Sequence, residues 1–157
     1  LGYGNIGKEV CKVCQALGMN VYVFDRGDDI EKVFTADVII NCLSSNPSTK
    51  NLLNKTFFYS LKPGSFFITA TPPDVYDVDA MISALDSGIL AGAADDCAGI
   101  QIGDTNDSFF KRLLQHPKVL TTPHIAFNTD EASFVSYEMM IDNVKAFIEG
   151  NPKNLVE

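Results

Sequence analysis

The chain has 157 residues, 46% hydrophobic and 20% charged, with a net charge of −8 at pH 7 and a pI of about 4.6. One domain with a real core is the expectation from that length and composition. The acidic balance offers no basic face for phosphates, which disfavours nucleic-acid partners, and no apolar run approaches a membrane span.

The chain opens on Gly2-Tyr3-Gly4-Asn5-Ile6-Gly7, a G-x-G-x-x-G pattern, followed by a helical run predicted over Asn5 to Leu17 and stopped by Gly18. Gly2 permits a tight turn, Gly4 lets a pyrophosphate approach the backbone, and Gly7 allows close packing of the helix. The backbone N–H groups of Asn5 and Ile6, at the positive end of the helix, then face the phosphates. Asn20 to Phe24 reads as a strand. Asp25 follows, eighteen residues beyond Gly7, where a carboxylate takes the ribose hydroxyls of NAD and repels the extra phosphate of NADP.

Four cysteines do not make a disulfide scaffold in a chain of this size. Cys11 and Cys14 form C-x-x-C inside the first helix, where Val10, Val13, Cys14 and Leu17 make an apolar stripe, so the pair reads as packing. A reducing cytoplasm fits this usage.

Arg26 to Asp29 turns the chain, and Asp28 or Asp29 caps a short helix through Val33. Val38 to Leu43 is a near-continuous apolar run, predicted to be a parallel strand buried on both faces. Ser44 to Ser48 is a polar loop. A helix is expected over Asn54 to Leu61, a strand over Ser65 to Ala70, a helix from Asp77 through Leu85 and a strand over Ile89 to Ala94. The irregular stretch Asp95 to Thr105 leads to a helix near Ser108 to Gln115, a strand over Val119 to Thr121, and the break Thr122-Pro123-His124. A last helix spans Asp130 to Glu149. Strands alternating with helices at this pace predict an α/β fold, a doubly wound parallel sheet of the Rossmann type. A strand is also needed directly before Gly2, mid-sheet between the second and fourth strands, and only Leu1 stands there. The chain is therefore expected to lack its first strand and to be a piece of a longer protein.

Several stretches together resemble the D-isomer-specific 2-hydroxyacid dehydrogenases. Besides Gly2 to Asp25, these are Asn46-Pro47-Ser48-Thr49 with Leu52-Leu53-Asn54, Leu61-Lys62-Pro63-Gly64, Asp77 to Met81 with Gly88 to Ala93, Thr122-Pro123-His124-Ile125-Ala126, and the closing Asn143 to Pro152. The resemblance implies that residues 1–157 are an NAD-binding domain of a two-domain protein, with 130–157 returning toward a substrate domain. It implies hydride transfer between NAD and a 2-hydroxy or 2-keto acid, and commonly a homodimer. His124 matches the family's acid–base histidine, a role that suits an imidazole. Cofactor positions carried over are Gly2, Gly4, Asn5, Ile6, Gly7, Asp25, Arg26, Leu43, Ser44, Ala70, Asp96 and His124. Asp96 resembles the aspartate that holds the nicotinamide carboxamide, with Asp95 one residue away as the other register.

Two positions depart from the pattern. Pro72 stands where the family has the arginine that grips the substrate carboxylate, and a proline cannot replace a bidentate guanidinium. Gln101 stands where a glutamate pairs with the histidine; it can hydrogen-bond His124 without raising its pKa as an ionised partner does. Three readings follow: a dehydrogenase, an NAD-binding module that has lost its chemistry, or a dimerising remnant without cofactor.

Overall fold

The computed structural model describes residues 1–25 and 27–155 and divides into two compact units, Leu1–His124 and Ile125–Glu157. Arg26, one of the predicted cofactor positions, lies outside the described residues. The first unit contains α1 (Asn5–Ala16), a 3₁₀ turn (Ile30–Thr35), β1 (Val38–Asn41), α2 (Lys55–Ser60), β2 (Ser65–Thr69), α3 (Val78–Asp86), β3 (Leu90–Asp95), α4 (Ser108–Leu114) and β4 (Val119–Thr121). The strands pair in the order β1-β2-β3-β4, all parallel. The expected parallel α/β class with flanking helices is what forms.

Local chemistry sets most of the boundaries. Asn54 accepts from the Phe57 N–H (3.2 Å), Asp77 from the Ala80 N–H (2.9 Å) and Asp107 from the Phe109 N–H (2.7 Å), so α2, α3 and α4 each start on a side-chain cap. Asp29 caps the 3₁₀ turn through the Glu31 N–H (3.0 Å), whereas Asp28 turns back to accept from the Asp25 N–H (2.8 Å).

The stretch 20–24 differs from expectation. It is extended but forms no ladder; Gly2 N–H donates to the Phe24 carbonyl (3.0 Å). On the other side, the Leu1 amine donates to the Ile40 carbonyl (2.7 Å) and Cys42 N–H to the Leu1 carbonyl (2.8 Å). Residues 1–2 thus sit between 20–24 and β1. A strand exists by its neighbour's hydrogen bonds, and the Gly2 N–H to Phe24 contact alone does not make a ladder. The neighbour of residues 1–2 is the third extended segment in chain order, not the fourth, because only the 3₁₀ turn separates residues 20–24 from β1. The order therefore follows the 2-1-3-4-5 pattern of doubly wound sheets, and the switch point falls between residues 1–2 and β1.

The core lies on one face of the sheet. Phe67 of β2 is fully buried, and edge-on aromatic contacts run Phe34–Phe57–Phe58–Phe67, with centroids 6.0, 5.5 and 5.1 Å apart, and on to Tyr76 at 5.8 Å. Burial on both faces of the strand Val38 to Leu43 is not observed. Ile39 and Asn41 are buried, but Val38 and Ile40 are only half-buried, and Phe66, Ile68 and Leu120 are exposed. An apolar run records what a strand tolerates; the layer stacked on it decides what is covered. The stripe on α1 is also rotated. Val10, Cys11 and Cys14 face a cavity of ≈ 130 Å³ shared with Val21 and Cys42, while Val13 and Leu17 point outward. The four cysteines are unbridged.

The second unit holds α5 (Asp130–Ile148), capped by Thr129 through the Ala132 N–H (3.1 Å). Phe134, Tyr137, Met140, Val144 and Phe147 along it are exposed. Among the described residues no helix is long and apolar enough to cross a membrane.

In urea titrations of the full-length protein, Phe67→Ala is expected to cost about 3–5 kcal/mol as a core cavity. Asn54→Ala is expected to cost about 1 kcal/mol as a lost cap.

Candidate functional site

The glycine loop is organised by backbone contact. Gly2 has φ +82°, and a Cβ there would lie 2.9 Å from the Cys42 carbonyl oxygen. A Cβ on Gly7 would lie 2.2 Å from the Gly2 carbonyl oxygen, so the close approach expected of Gly7 is to the turn itself. Gly4 differs from both. Its φ is ordinary, and a Cβ would meet no atom within 4 Å. Among the described residues nothing requires glycine at position 4, and the open space beside it fits an approaching pyrophosphate. α1 is also the helix without a side-chain cap: Gly4 occupies the cap position and no acidic residue stands in the first turn. The N–H groups of Asn5, Ile6 and Gly7 suit an external anion. Asp25 is exposed at the end of the 20–24 stretch, in a turn closed by Asp28 N–H donating to its carbonyl (3.1 Å).

The remaining site residues gather at the C-terminal ends of the strands. Leu43 and Ser44 follow β1, and Ala70 follows β2. Beneath them Asn41, Thr69 and Thr71 form a buried polar knot. Asn41 Nδ2 donates to Thr71 Oγ1 (2.7 Å) and Thr69 Oγ1 (3.2 Å), and its Oδ1 accepts from the Leu43 N–H (3.2 Å). After β3, Asp96 N–H donates to the Thr69 carbonyl (3.1 Å), and its buried carboxylate accepts from the Thr122 hydroxyl.

His124 is half-buried, with φ +55°, a left-handed conformation unusual outside glycine. Its N–H donates to the Asp96 carbonyl (2.7 Å) and the Thr122 carbonyl (3.0 Å), which hold that conformation. Its Nδ1 lies 3.0 Å from the Ile100 carbonyl. A carbonyl only accepts, so Nδ1 carries a proton and donates to it.

The two expected registers for the loop aspartate separate here. Asp96 lies beside His124, whereas Asp95, only 2% exposed, turns into the core. One Asp95 oxygen accepts from the Tyr76 hydroxyl and the other from the Cys97 N–H (2.7 Å). Burial pushes the Asp95 carboxyl up to about 6, against the lowering effect of those two hydrogen bonds, and burial also raises Tyr76. Gln101 is exposed, and His124 Nδ1 lies on the carbonyl of the residue before it, Ile100. Pro72 and Pro73 pack against Gly99, where a Cβ would lie 3.2 Å from Pro73 Cδ. His116 sits at the opposite end of β4, 3.3 Å from Asp86.

The parallel α/β fold agrees with what known proteins show. The family model described as D-isomer specific 2-hydroxyacid dehydrogenase, NAD binding domain, matches residues 1–126. The chain belongs to this family. It is 31% identical to glycerate dehydrogenase of Methylorubrum extorquens over 100% of its own length and 51% of that protein's. It is 34% identical to D-3-phosphoglycerate dehydrogenase of Haemophilus influenzae over 84% of its length and 35% of that protein's. A D-isomer specific 2-hydroxyacid dehydrogenase from Lactobacillus delbrueckii ssp. bulgaricus, solved in its NAD complexed form, superimposes with a TM-score of 0.84 at 25% identity, covering 99% of this chain and 54% of that one. The chain thus spans about half, or less, of the length of these relatives.

Sequence reasoning missed the Asn41 knot and the Asp95–Tyr76 pair. Their signals were present as an Asn inside Val38-Ile39-Ile40-Asn41 and an Asp ending Ala93-Ala94-Asp95, polar residues at inward strand positions.

Two measurements test this geometry. Gly4→Ala is expected to weaken NADH binding about tenfold, roughly 1.4 kcal/mol, with little change in melting temperature. For Asp95, the unfolded carboxyl ionises near its ordinary value of 3.8 while the folded one holds its proton to about 6. The folded chain then binds more protons between these values, so stability falls as pH rises from about 4 to 6 and levels off above. Asp95→Asn is expected to remove that slope, which amounts to roughly 3 kcal/mol at about 1.4 kcal/mol per unit, seen in denaturation midpoints against pH.

Proposed function

We propose that the protein containing this NAD-binding domain is a dehydrogenase interconverting a 2-hydroxy acid and its 2-keto acid, with His124 as the acid–base group. The observation that carries the proposal is a half-buried histidine at the end of β4, beside Asp96, with its Nδ1 held 3.0 Å from the Ile100 carbonyl. NAD(H), when bound, accepts or supplies the hydride. In the oxidising direction His124 Nε2 takes the proton from the substrate hydroxyl while Nδ1–H stays on the Ile100 carbonyl. In the reducing direction the protonated ring returns it. Gly2, Gly4, Asn5, Ile6 and Gly7 take the pyrophosphate and Asp25 the ribose. Leu43, Ser44 and Ala70 line the crevice, and the Asp96 carboxylate faces the nicotinamide carboxamide. The exposed apolar residues of α5 support burial by the rest of a longer, two-domain protein or by a second copy.

A second reading, an NAD-binding module without turnover, is favoured by Pro72. Packed with Pro73 against Gly99, it offers no charge to a substrate carboxylate.

NADH oxidation by the full-length protein with a panel of 2-keto acids separates the two. The dehydrogenase reading expects turnover that falls about 100-fold or more in His124→Gln with NADH affinity retained. NADH binding without turnover on any 2-keto acid supports the second. Combining Pro72→Arg with Gln101→Glu is expected to raise kcat/KM about tenfold or more through the added carboxylate contact. No rise would refute the assignment of position 72.

A further inference from the structure

We propose that Asp95, oriented by Tyr76, is a positioning residue for His124. It anchors both partners of the hydrogen bond between the His124 ring and the Ile100 carbonyl. This rests on the acid–base reading of His124.

On one side, the Asp95 carboxylate accepts from the Cys97 N–H (2.7 Å) and so holds Cys97 at φ +50°. From that left-handed residue the chain turns, with Ile100 N–H donating to the Cys97 carbonyl (3.2 Å), and the Ile100 carbonyl comes to rest 3.0 Å from His124 Nδ1. On the other side, the Asp95 carbonyl accepts from the Thr122 N–H (3.0 Å) and the Thr121 hydroxyl (3.0 Å), fixing the end of β4 two residues before His124. Thr121 Oγ1 also lies 3.0 Å from Cys97 Sγ, tying the two sides together.

Tyr76 completes the arrangement. Its backbone is pinned by Leu53, whose N–H donates to the Val75 carbonyl (3.1 Å) and whose carbonyl accepts from the Asp77 N–H (3.0 Å). Its hydroxyl occupies the second Asp95 oxygen. Asp95 and Tyr76 are each 2% exposed. Folding alone gives no reason for an ionisable pair here, since apolar residues of similar volume are commonly as stable or more so at buried positions. A carboxylate can receive two donors at once and set a strained turn; an apolar side chain cannot.

The test uses the full-length protein labelled with ¹⁵N-histidine, the His124 signals being identified by their loss in His124→Gln. The wild type is expected to show a protonated Nδ1 and an unprotonated Nε2. Asp95→Leu is expected to give a mixture of tautomers, with turnover on 2-keto acids reduced about tenfold and NADH affinity within about twofold of wild type. Asp95→Asn, whose amide oxygen still accepts the Cys97 N–H, is expected to keep the wild-type tautomer. Tyr76→Phe, which loses only a hydroxyl, is expected to shift the tautomer in the same direction by less, and decides the matter if Asp95→Leu does not fold. An unchanged Nδ1–H signal in Asp95→Leu, or in Tyr76→Phe where Asp95→Leu does not fold, overturns the proposal. Unchanged turnover in His124→Gln overturns the acid–base reading instead, and the tautomer measurement still decides what Asp95 does.

Discussion

The tightest constraint in the molecule is the approach of α1 to the turn that precedes it. With no Cβ on Gly7, the first turn of the helix rests against the Gly2 carbonyl, and Gly2 in turn rests against Cys42 at the end of β1. Three backbone segments meet within van der Waals distance, which fixes where the uncapped helix N-terminus points. A side chain on either glycine would push the helix from the sheet and carry the anion site with it. The nucleotide end is therefore built from main-chain atoms whose placement depends on what is missing from two residues.

The C-terminal ends of the strands are built the other way. Their positions depend on side chains that reach across strands: Asn41 to Thr71, Asp96 to Thr122, Asp95 to Tyr76 and Cys97. Such links join the ends of β1 to β4. They also mark where this chain leaves its family's pattern. The Ile100 carbonyl serves His124 Nδ1, and the Pro72–Pro73 pair packs against Gly99.

Much of this was legible before any coordinates. Asn54 and Asp77 announce helix starts because a short polar side chain before an apolar run has an orphan N–H to satisfy, and each does so. The glycine spacing, Asp25 and the Thr-Pro-His break likewise carry their geometry locally. What stayed hidden was non-local. The pairing of 20–24 depends on its neighbours rather than on its own valines. The covered side of α1 depends on where Val21 and Cys42 sit. The Asp95–Tyr76 contact joins residues nineteen apart, and no period in the sequence relates them.

The backbone at His124 has a consequence for how this position can change. Its left-handed φ of +55° is a conformation that glycine reaches freely and a histidine holds at an expense of order 1 kcal/mol or more. Replacement by glycine would relax the strand end while removing the imidazole. Random substitution under selection for folding alone would thus drift away from histidine at this point. A chain that keeps an ill-fitting ring there is answering to a demand other than its own stability.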